Sequence, residues 1–374
     1  MSPAFVSPPC RSKKTVALLV GGPSPEHPIS LLSSIQVIQA LDRQQYDLLL
    51  IGIDQQGRWW HCDEADYLRY PEDPARIQLR VTGEPLALQP GSRGGQLRES
   101  QSGTPLPAID VVFPLLHGSM GEDGALQGLL RWLQLPFVGC DLLASAIGMD
   151  KAITKQLLQA AGIPVAPFVV LRHPDVAQLN PAALVATLGL PLFVKPTNQG
   201  SSIGVSRVLH PAELQPAVQH ALAFDHTVLV ETAIQGQEIE CALLGNQQPA
   251  VSVCGEIVVQ DAFYAYETKY LNRGQAQLVI PAPLTPETSE RVRRLAIQAW
   301  QRLGCYGLAR VDFFVTADQQ IFLNEINTIP GFTAISMYPQ LWAASGLAYS
   351  QLLDRLITLA LERDQPTVSL AERW

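Results

Sequence analysis

The stretch Asn324-Glu325-Ile326-Asn327 places a carboxylate and a carboxamide two residues apart in a run that otherwise reads as a buried strand. Upstream, Leu308 to Val315 is a second strand-like run, which carries Arg310 and Asp312. If the two runs form a hairpin with Ala317 to Gln320 as its loop, Asp312 faces Glu325 and Arg310 faces Asn327. The two-residue period of a strand then puts all four on one face. Facing carboxylates about 5 Å apart repel by about 3 kcal/mol at an effective dielectric of about 20, so the pair calls for a cation. Oxygen donors from Asp312, Glu325 and Asn327 suit Mg2+, which keeps several waters and shares itself with substrate phosphates. A carboxyl pair sharing a proton, or an ion pair with Arg310, is the alternative. A slip of one residue in register removes the cluster altogether.

A metal held this way implies a nucleotide, and Val194-Lys195-Pro196-Thr197-Asn198-Gln199-Gly200-Ser201-Ser202-Ile203-Gly204-Val205 offers it a place. The lysine ending a strand supplies a point charge, while Gly200 and Gly204 let backbone N–H groups approach an oxyanion. The segment is not a Gly-x-x-x-x-Gly-Lys-Ser/Thr loop, and an ordinary hairpin explains it equally well. Another strand-like run ends at Glu231 and leads to Gln237-Glu238-Ile239-Glu240. A strand end and linker of this kind can offer backbone groups to an adenine edge and a carboxylate to ribose hydroxyls; a solvated acidic edge is the plainer reading. Near the start, Gly21-Gly22-Pro23-Ser24-Pro25-Glu26-His27 is a glycine loop containing an acid. Glu26 opposes a phosphate and favours an ammonium group. Because the loop also lacks the Gly-x-Gly-x-x-Gly pattern, a dinucleotide-dependent dehydrogenase is a poor fit.

These groups need a scaffold. The chain opens with a strand (Thr15 to Val20), a helix (Ser30 to Leu41) and a strand (Leu48 to Ile53). A polar, proline-rich stretch follows from about Tyr70 to Pro107, then a strand (Val111 to Leu116) and a helix (Ala125 to Leu133). Alternating strands and helices predict an α/β organisation with a mostly parallel sheet, whose ligands bind at the carboxyl ends of the strands. A helix over Lys151 to Ala161 precedes short strands near Phe168, Leu192 and Val228. The last third adds a strand over Ile239 to Leu244 and a helix from about Glu287 to Leu303, opened by Thr285-Pro286 and stopped by Gly304.

A chain of 374 residues suits two or three domains. Its net charge of -8 argues against a nucleic-acid partner, which needs a basic face. The six cysteines have no paired spacing and read as reduced cytosolic thiols. No run of about 18 apolar residues predicts a membrane span. The basic cluster Arg11, Lys13 and Lys14 follows a proline-rich tail instead of preceding an apolar run, unlike a secretion signal.

Taken in order, the motifs resemble the ATP-grasp fold and, more narrowly, the D-alanine:D-alanine ligases, from Val16 to about Arg363. The resemblance is carried by the first glycine loop, Leu116-His117-Gly118 with Gly121-Glu122-Asp123-Gly124, and Met149-Asp150-Lys151. It continues through the Lys195 to Gly204 loop, Tyr264-Ala265-Tyr266-Glu267-Thr268-Lys269-Tyr270, Ala309-Arg310-Val311-Asp312 and Asn324 through Met337. It implies an α/β (α+β overall) chain with a Rossmann-like parallel-sheet domain at 1–139, a small central α+β domain at 140–234 and a C-terminal α+β domain at 235–374. The implied reaction uses ATP to phosphorylate one D-alanine, whose acyl phosphate is attacked by the amine of a second, in peptidoglycan precursor synthesis.

By the same resemblance Lys151, Lys195, Glu231, Ala233, Ile234, Glu238 and Lys269 contact ATP, and Asp312, Glu325 and Asn327 bind two Mg2+ ions, with Mn2+ as a substitute. At position 233 relatives often carry a larger side chain, so only a backbone contact carries over. Glu26, Ser201 and Tyr270 form a hydrogen-bonded group that closes the site; Arg310 and the backbone at Gly331 stabilise the tetrahedral intermediate. Ser336 and Met337 receive the second substrate's carboxylate. His117 either orients the first D-alanine or is a structural loop histidine. Pro28 stands where relatives commonly have an acid. Asp261 to Pro281 reads as a lid, which lacks the histidine of ligases that join D-alanine to D-lactate. A cytoplasmic homodimer is implied. A non-catalytic nucleotide-binding protein is the rival class, and another ATP-grasp ligase would differ at Glu26 and Tyr270.

Overall fold

The computed structural model describes residues 13–91, 94–173, 176, 179–259, 276–333 and 335–364. The first sheet has the order β3-β2-β1-β8, built from β1 (Lys14–Gly21), β2 (Tyr46–Ile53), β3 (Trp59–His61) and, further on, β8 (Val111–Pro114). β2, β1 and β8 are parallel, as the strand–helix alternation predicts, and β3 is an antiparallel edge. Between β1 and β2 runs α1 (His27–Ala40). Gly21 ends β1 with φ +93, and a Cβ there would sit 2.3 Å from Ile53 O, so only glycine lets the loop turn beside β2.

The polar stretch has more structure than its composition suggests. It forms two small hairpins, β4 (Leu68–Arg69) with β5 (Gln78–Leu79) and β6 (Leu86–Leu88) with β7 (Leu97–Glu99). Leu86 and Leu97 join Leu49 and Ile51 in one apolar cluster, so the hairpins cover the sheet.

After α2 (Ala125–Trp132), α3 (Leu142–Met149) and α4 (Lys151–Ala160) lie end to end, with Asp150 between them accepting hydrogen bonds from Ala152 N and Ile153 N. Cys140, Ala144 and Leu158 pack into the core of the last sheet. The second sheet, order β11-β10-β12-β9, comprises β9 (Phe168–Arg172), β10 (Leu192–Pro196), β11 (Ser206–Val208) and β12 (Thr227–Thr232), wrapped by α5 (Pro181–Leu188) and α6 (Leu214–Leu222). The third, order β15-β14-β13-β16-β17, comprises β13 (Gln237–Gly245), β14 (Ala250–Val259), β15 (Ala276–Val279), β16 (Gly307–Val315) and β17 (Ile321–Asn327). α7 (Pro286–Leu303) packs Val292, Ala296, Ala299 and Leu303 into its core, is capped by Thr285 and ends at Gly304 with φ +67. α8 (Met337–Ala344) and α9 (Tyr349–Asp364) are the last described elements, burying Leu341 and Leu352 in a cluster that also holds Leu18 and Phe113 of the first sheet.

The β16–β17 register is Arg310 opposite Asn327 and Asp312 opposite Glu325, as the sequence predicts, but it is reached by another route. Val315 pairs with Ile321, so the loop is one residue longer than expected, and a bulge at Asn324 restores the pairing at the site. Among the described residues, no helix is long and apolar enough to cross a membrane.

Candidate active site

Two adjoining cavities gather most of the residues singled out above. The first lies at the carboxyl ends of β1 and β8, where an open parallel sheet presents its loops, and reaches β17. It is lined by Glu26, His117, Glu122, Arg310, Asn327 and Gly331, among others. The second lies between the second and third sheets and is lined by Lys195, Glu231, Ile234, Glu238 and Asn324. Lys151, Gly200, Ser201 and Glu325 border both.

In the first cavity the loops are tied to each other. Ser24 Oγ donates to His117 O (2.6 Å) and accepts from Glu26 N (3.2 Å), while His27 Nδ1 donates to Gly22 O (2.7 Å). Ser201 Oγ donates to Glu26, joining this loop to the glycine loop after β10, as the sequence reading expects. Ser201 and Ser202 both have left-handed backbones (φ +53 and +60), a strained arrangement for residues with a Cβ.

His117 Nδ1 donates to Ile329 O (3.0 Å), and among the described residues its buried Nε2 has no partner. Burial lowers the imidazole's pKa against the opposing effect of Glu26, so Nε2 carries a lone pair facing the cavity. Glu122, which the sequence presents only as part of a loop motif, accepts from Gly118 N (2.7 Å) and Ile329 N (3.3 Å). Removal from water and the nearby Glu26 charge push its carboxyl up to about 8.

On the third sheet Arg310 donates to both oxygens of Asp312 at 2.7 Å and lies 2.8 Å from Glu240. Glu240 faces Asp312 across β13 and β16, so three carboxylates, those of Glu240, Asp312 and Glu325, line up across neighbouring strands. Asn327 Nδ2 donates to Asp312 (3.0 Å), and Lys151 Nζ lies 3.6 Å from Glu325 and donates to Gln199 O. The ion pair with Arg310 and the clustering of acids are therefore both present.

Among the described residues no three His, Cys, Asp or Glu side chains form a metal-holding group. The donors are two carboxylates and an amide, and such a set suits an ion that completes its shell with water and phosphate.

In the second cavity Lys195 Nζ is 2.6 Å from Glu231 and 3.5 Å from Asn324 Oδ1, a residue brought into the site by the bulge. Phe193, Val205, Ile234 and Phe314 supply the apolar walls that a planar base requires. Ala233 does not line this cavity, and its N–H is bound to Pro191 O (3.0 Å).

Gly331 and Ser336 touch closely, since a Cβ on Gly331 would meet Ser336 Oγ at 2.8 Å. Ser336 precedes α8, and the Met337 side chain is buried in the core, which leaves its backbone at the helix N-terminus as the group able to meet a carboxylate. Neither residue lines the two cavities. Lys269, Tyr270 and most of the predicted lid lie outside the described residues.

Sequence reasoning missed Glu122, Glu240, Asn324 and the walls Phe193, Val205 and Phe314. The alternation of β13 already put Glu240 on the same face as Glu238, but its partners come from a distant strand.

A family model described as the D-ala D-ala ligase N-terminus matches residues 15–140, and one described as the C-terminus of the same ligases matches residues 157–358. D-alanine--D-alanine ligase A of Escherichia coli K12 is 52% identical over 351 residues, 94% of this chain and 96% of that protein. The D-alanine--D-alanine ligase of Sodalis glossinidius is 54% identical over 93% of this chain and 95% of its own length. The solved D-alanine-D-alanine ligase of Coxiella burnetii superposes with a TM-score of 0.82 at 37% identity, covering 94% of this chain and 95% of its own. The VanG D-Ala:D-Ser ligase of Enterococcus faecalis superposes with a TM-score of 0.81 at 35% identity, over 93% and 100%.

Proposed function

The chain belongs to the D-alanine–D-alanine ligases, and we propose that its two adjoining cavities divide the work of joining two D-alanine molecules at the expense of ATP. The first D-alanine's carboxylate oxygen attacks the terminal phosphorus and ADP leaves. The second's amine then attacks the acyl carbon and phosphate leaves, giving the dipeptide for peptidoglycan precursor synthesis. The observation that carries the division is the shared border: Glu26, His117, Glu122 and Arg310 line one side, Lys195, Glu231 and the apolar Phe193, Val205, Ile234 and Phe314 line the other, and the two meet at Lys151, Gly200, Ser201 and Glu325.

In this reading Glu26 holds the ammonium of the first D-alanine and His117 Nε2 orients it. Arg310 and the Gly331 backbone stabilise the oxyanion, and Ser336 with the Met337 backbone receives the second carboxylate. Ser201 and Tyr270 complete the closure around Glu26. Lys151, Lys195 and Lys269 face the phosphates, Glu231 and Ile234 the adenine, and Glu238 the ribose; of Ala233, whose N–H is held by Pro191 O, only the backbone carbonyl is left to reach the base. Asp312, Glu325 and Asn327 are the residues to hold two Mg2+ ions, or Mn2+, which when bound neutralise phosphate charge.

The three sheets support a division into 1–139, 140–234 and 235–374. A cytoplasmic homodimer is also proposed. Exposed Trp132 and Leu143, near the Arg131–Asp141 pair of opposite charges, support this reading.

Phosphate release with ATP and Mg2+ tests the reaction: D-alanine should support it and L-alanine should not. Equal inactivity with both sinks the proposal. Mass spectrometry of products with D-lactate added should show negligible depsipeptide near neutral pH, and substantial amounts would show that closure by Tyr270 in a lid without histidine does not exclude the hydroxy acid.

A further inference from the structure

Lys155 is 1% exposed, and the reaction scheme gives this buried lysine no role. It follows Lys151 by one turn of α4, so both ammonium groups leave the helix on one side. Its Nζ lies 3.0 Å from Glu231 Oε2, while Lys195 Nζ lies 2.6 Å from the other oxygen of the same carboxylate. Glu231 thus sits between two lysines from different elements. Lys195 and Glu231 line the second cavity; Lys155 does not. Burial disfavours the Lys155 ammonium and the Glu231 charge sustains it, with Lys195 opposing.

A buried carboxylate cannot lose its only cation without exposing an uncompensated charge to a poorly solvated interior. For Lys195 to turn to a phosphate it must loosen its hold on Glu231. We propose that Lys155 is a positioning residue, the standing counter-ion of Glu231, which releases Lys195 to the nucleotide when ATP binds. The inference rests on Lys195 being a phosphate ligand.

Lys155 itself stays behind the carboxylate, one cation fixed and one exchangeable. A lysine present only to fill the core would have no such charge coupling to ATP.

Steady-state kinetics of the full-length chain test this. Lys155→Met should raise the KM for ATP by about tenfold or more and leave that for D-alanine within about twofold. In a Glu231→Gln background the same substitution should change the ATP KM by less than about twofold, because no carboxylate charge is left to strand. Folded Lys155→Met with the parent's ATP KM overturns the proposal, as does an equally large effect in the Glu231→Gln background. If Lys155→Met alone does not fold, the comparison of Glu231→Gln with Lys155→Met/Glu231→Gln, which buries no unpaired charge, still decides. Lys195→Met separates the two readings. An unchanged ATP KM there removes the phosphate role of Lys195 and this proposal with it, whereas a raised ATP KM beside a normal one in Lys155→Met removes this proposal alone.

Discussion

The two cavities share a border but treat a buried glutamate in opposite ways. In the first, Glu122 lies near Glu26 and holds its proton up to about pH 8. In the second, burial also works against the Glu231 charge, but Lys155 and Lys195 outweigh it and hold the carboxyl at about 2. The difference lies in the neighbours, since desolvation raises both and only the second has cations within contact. One cavity therefore suits an ammonium and a group kept neutral, the other suits phosphates. The pair of displaced values is the pattern expected where one fold must handle both kinds of charge.

Removing the cation that balances the boundary acids should break this contrast most severely. Arg310→Met leaves Asp312 and Glu240, both buried, facing each other without their guanidinium. A loss of about 3 kcal/mol in stability is expected, with ligation reduced by about a thousandfold. Urea denaturation and turnover check this, and a variant as stable as the parent would show that the three acids do not depend on Arg310.

Glu325→Gln acts on the shared border, where the proposed metal would be held. Ligation should fall at least about tenfold, about 1.4 kcal/mol of barrier, with an unchanged circular dichroism spectrum. Full activity at saturating ATP and ordinary Mg2+ would mean the border carboxylate is not a ligand.

The smallest effect concerns the pH dependence of stability. The Glu122 carboxyl is raised above its ordinary 4.5, so between about pH 4.5 and 8 the folded protein keeps a proton that the unfolded chain has lost. Stability from this group falls as pH rises through that window. Glu122→Gln should remove the slope, so its Tm relative to the parent improves between about pH 5 and pH 8.5. A constant difference would place Glu122 among ordinary carboxylates. Glu231 has the opposite sign: its stabilisation is present above about pH 4.5 and is lost as pH falls towards 2.

The β16–β17 hairpin shows how far sequence reading reached and why it stopped. Two short polar interruptions in apolar runs sufficed to pair Asp312 with Glu325, but the loop was read one residue too short and the bulge at Asn324 was not foreseen, and the two errors cancelled. Asn324 was the residue lost in that cancellation, since strict alternation turns it away from the site. The stretch from Tyr70 to Pro107 was illegible for a different reason. Strands of two or three residues carry too little periodicity to be recognised, although Leu86 and Leu97 seal the first sheet.

By itself the sequence determined what short-range geometry dictates. The helix from Pro286 to Leu303 follows from its cap, its apolar stripe and its terminal glycine. Residue types and order also singled out Glu26 and Lys195, which line the two cavities, and the pairing of Asp312 with Glu325. Tertiary structure alone decided which charges meet across elements: Lys155 of α4 with Glu231 of β12, Glu240 of β13 with Arg310 of β16, and Glu122 within the field of Glu26. The physical reason is range. A backbone period reaches a few residues, whereas desolvation and Coulomb interaction depend on which distant segments the packed core brings to within a few ångströms.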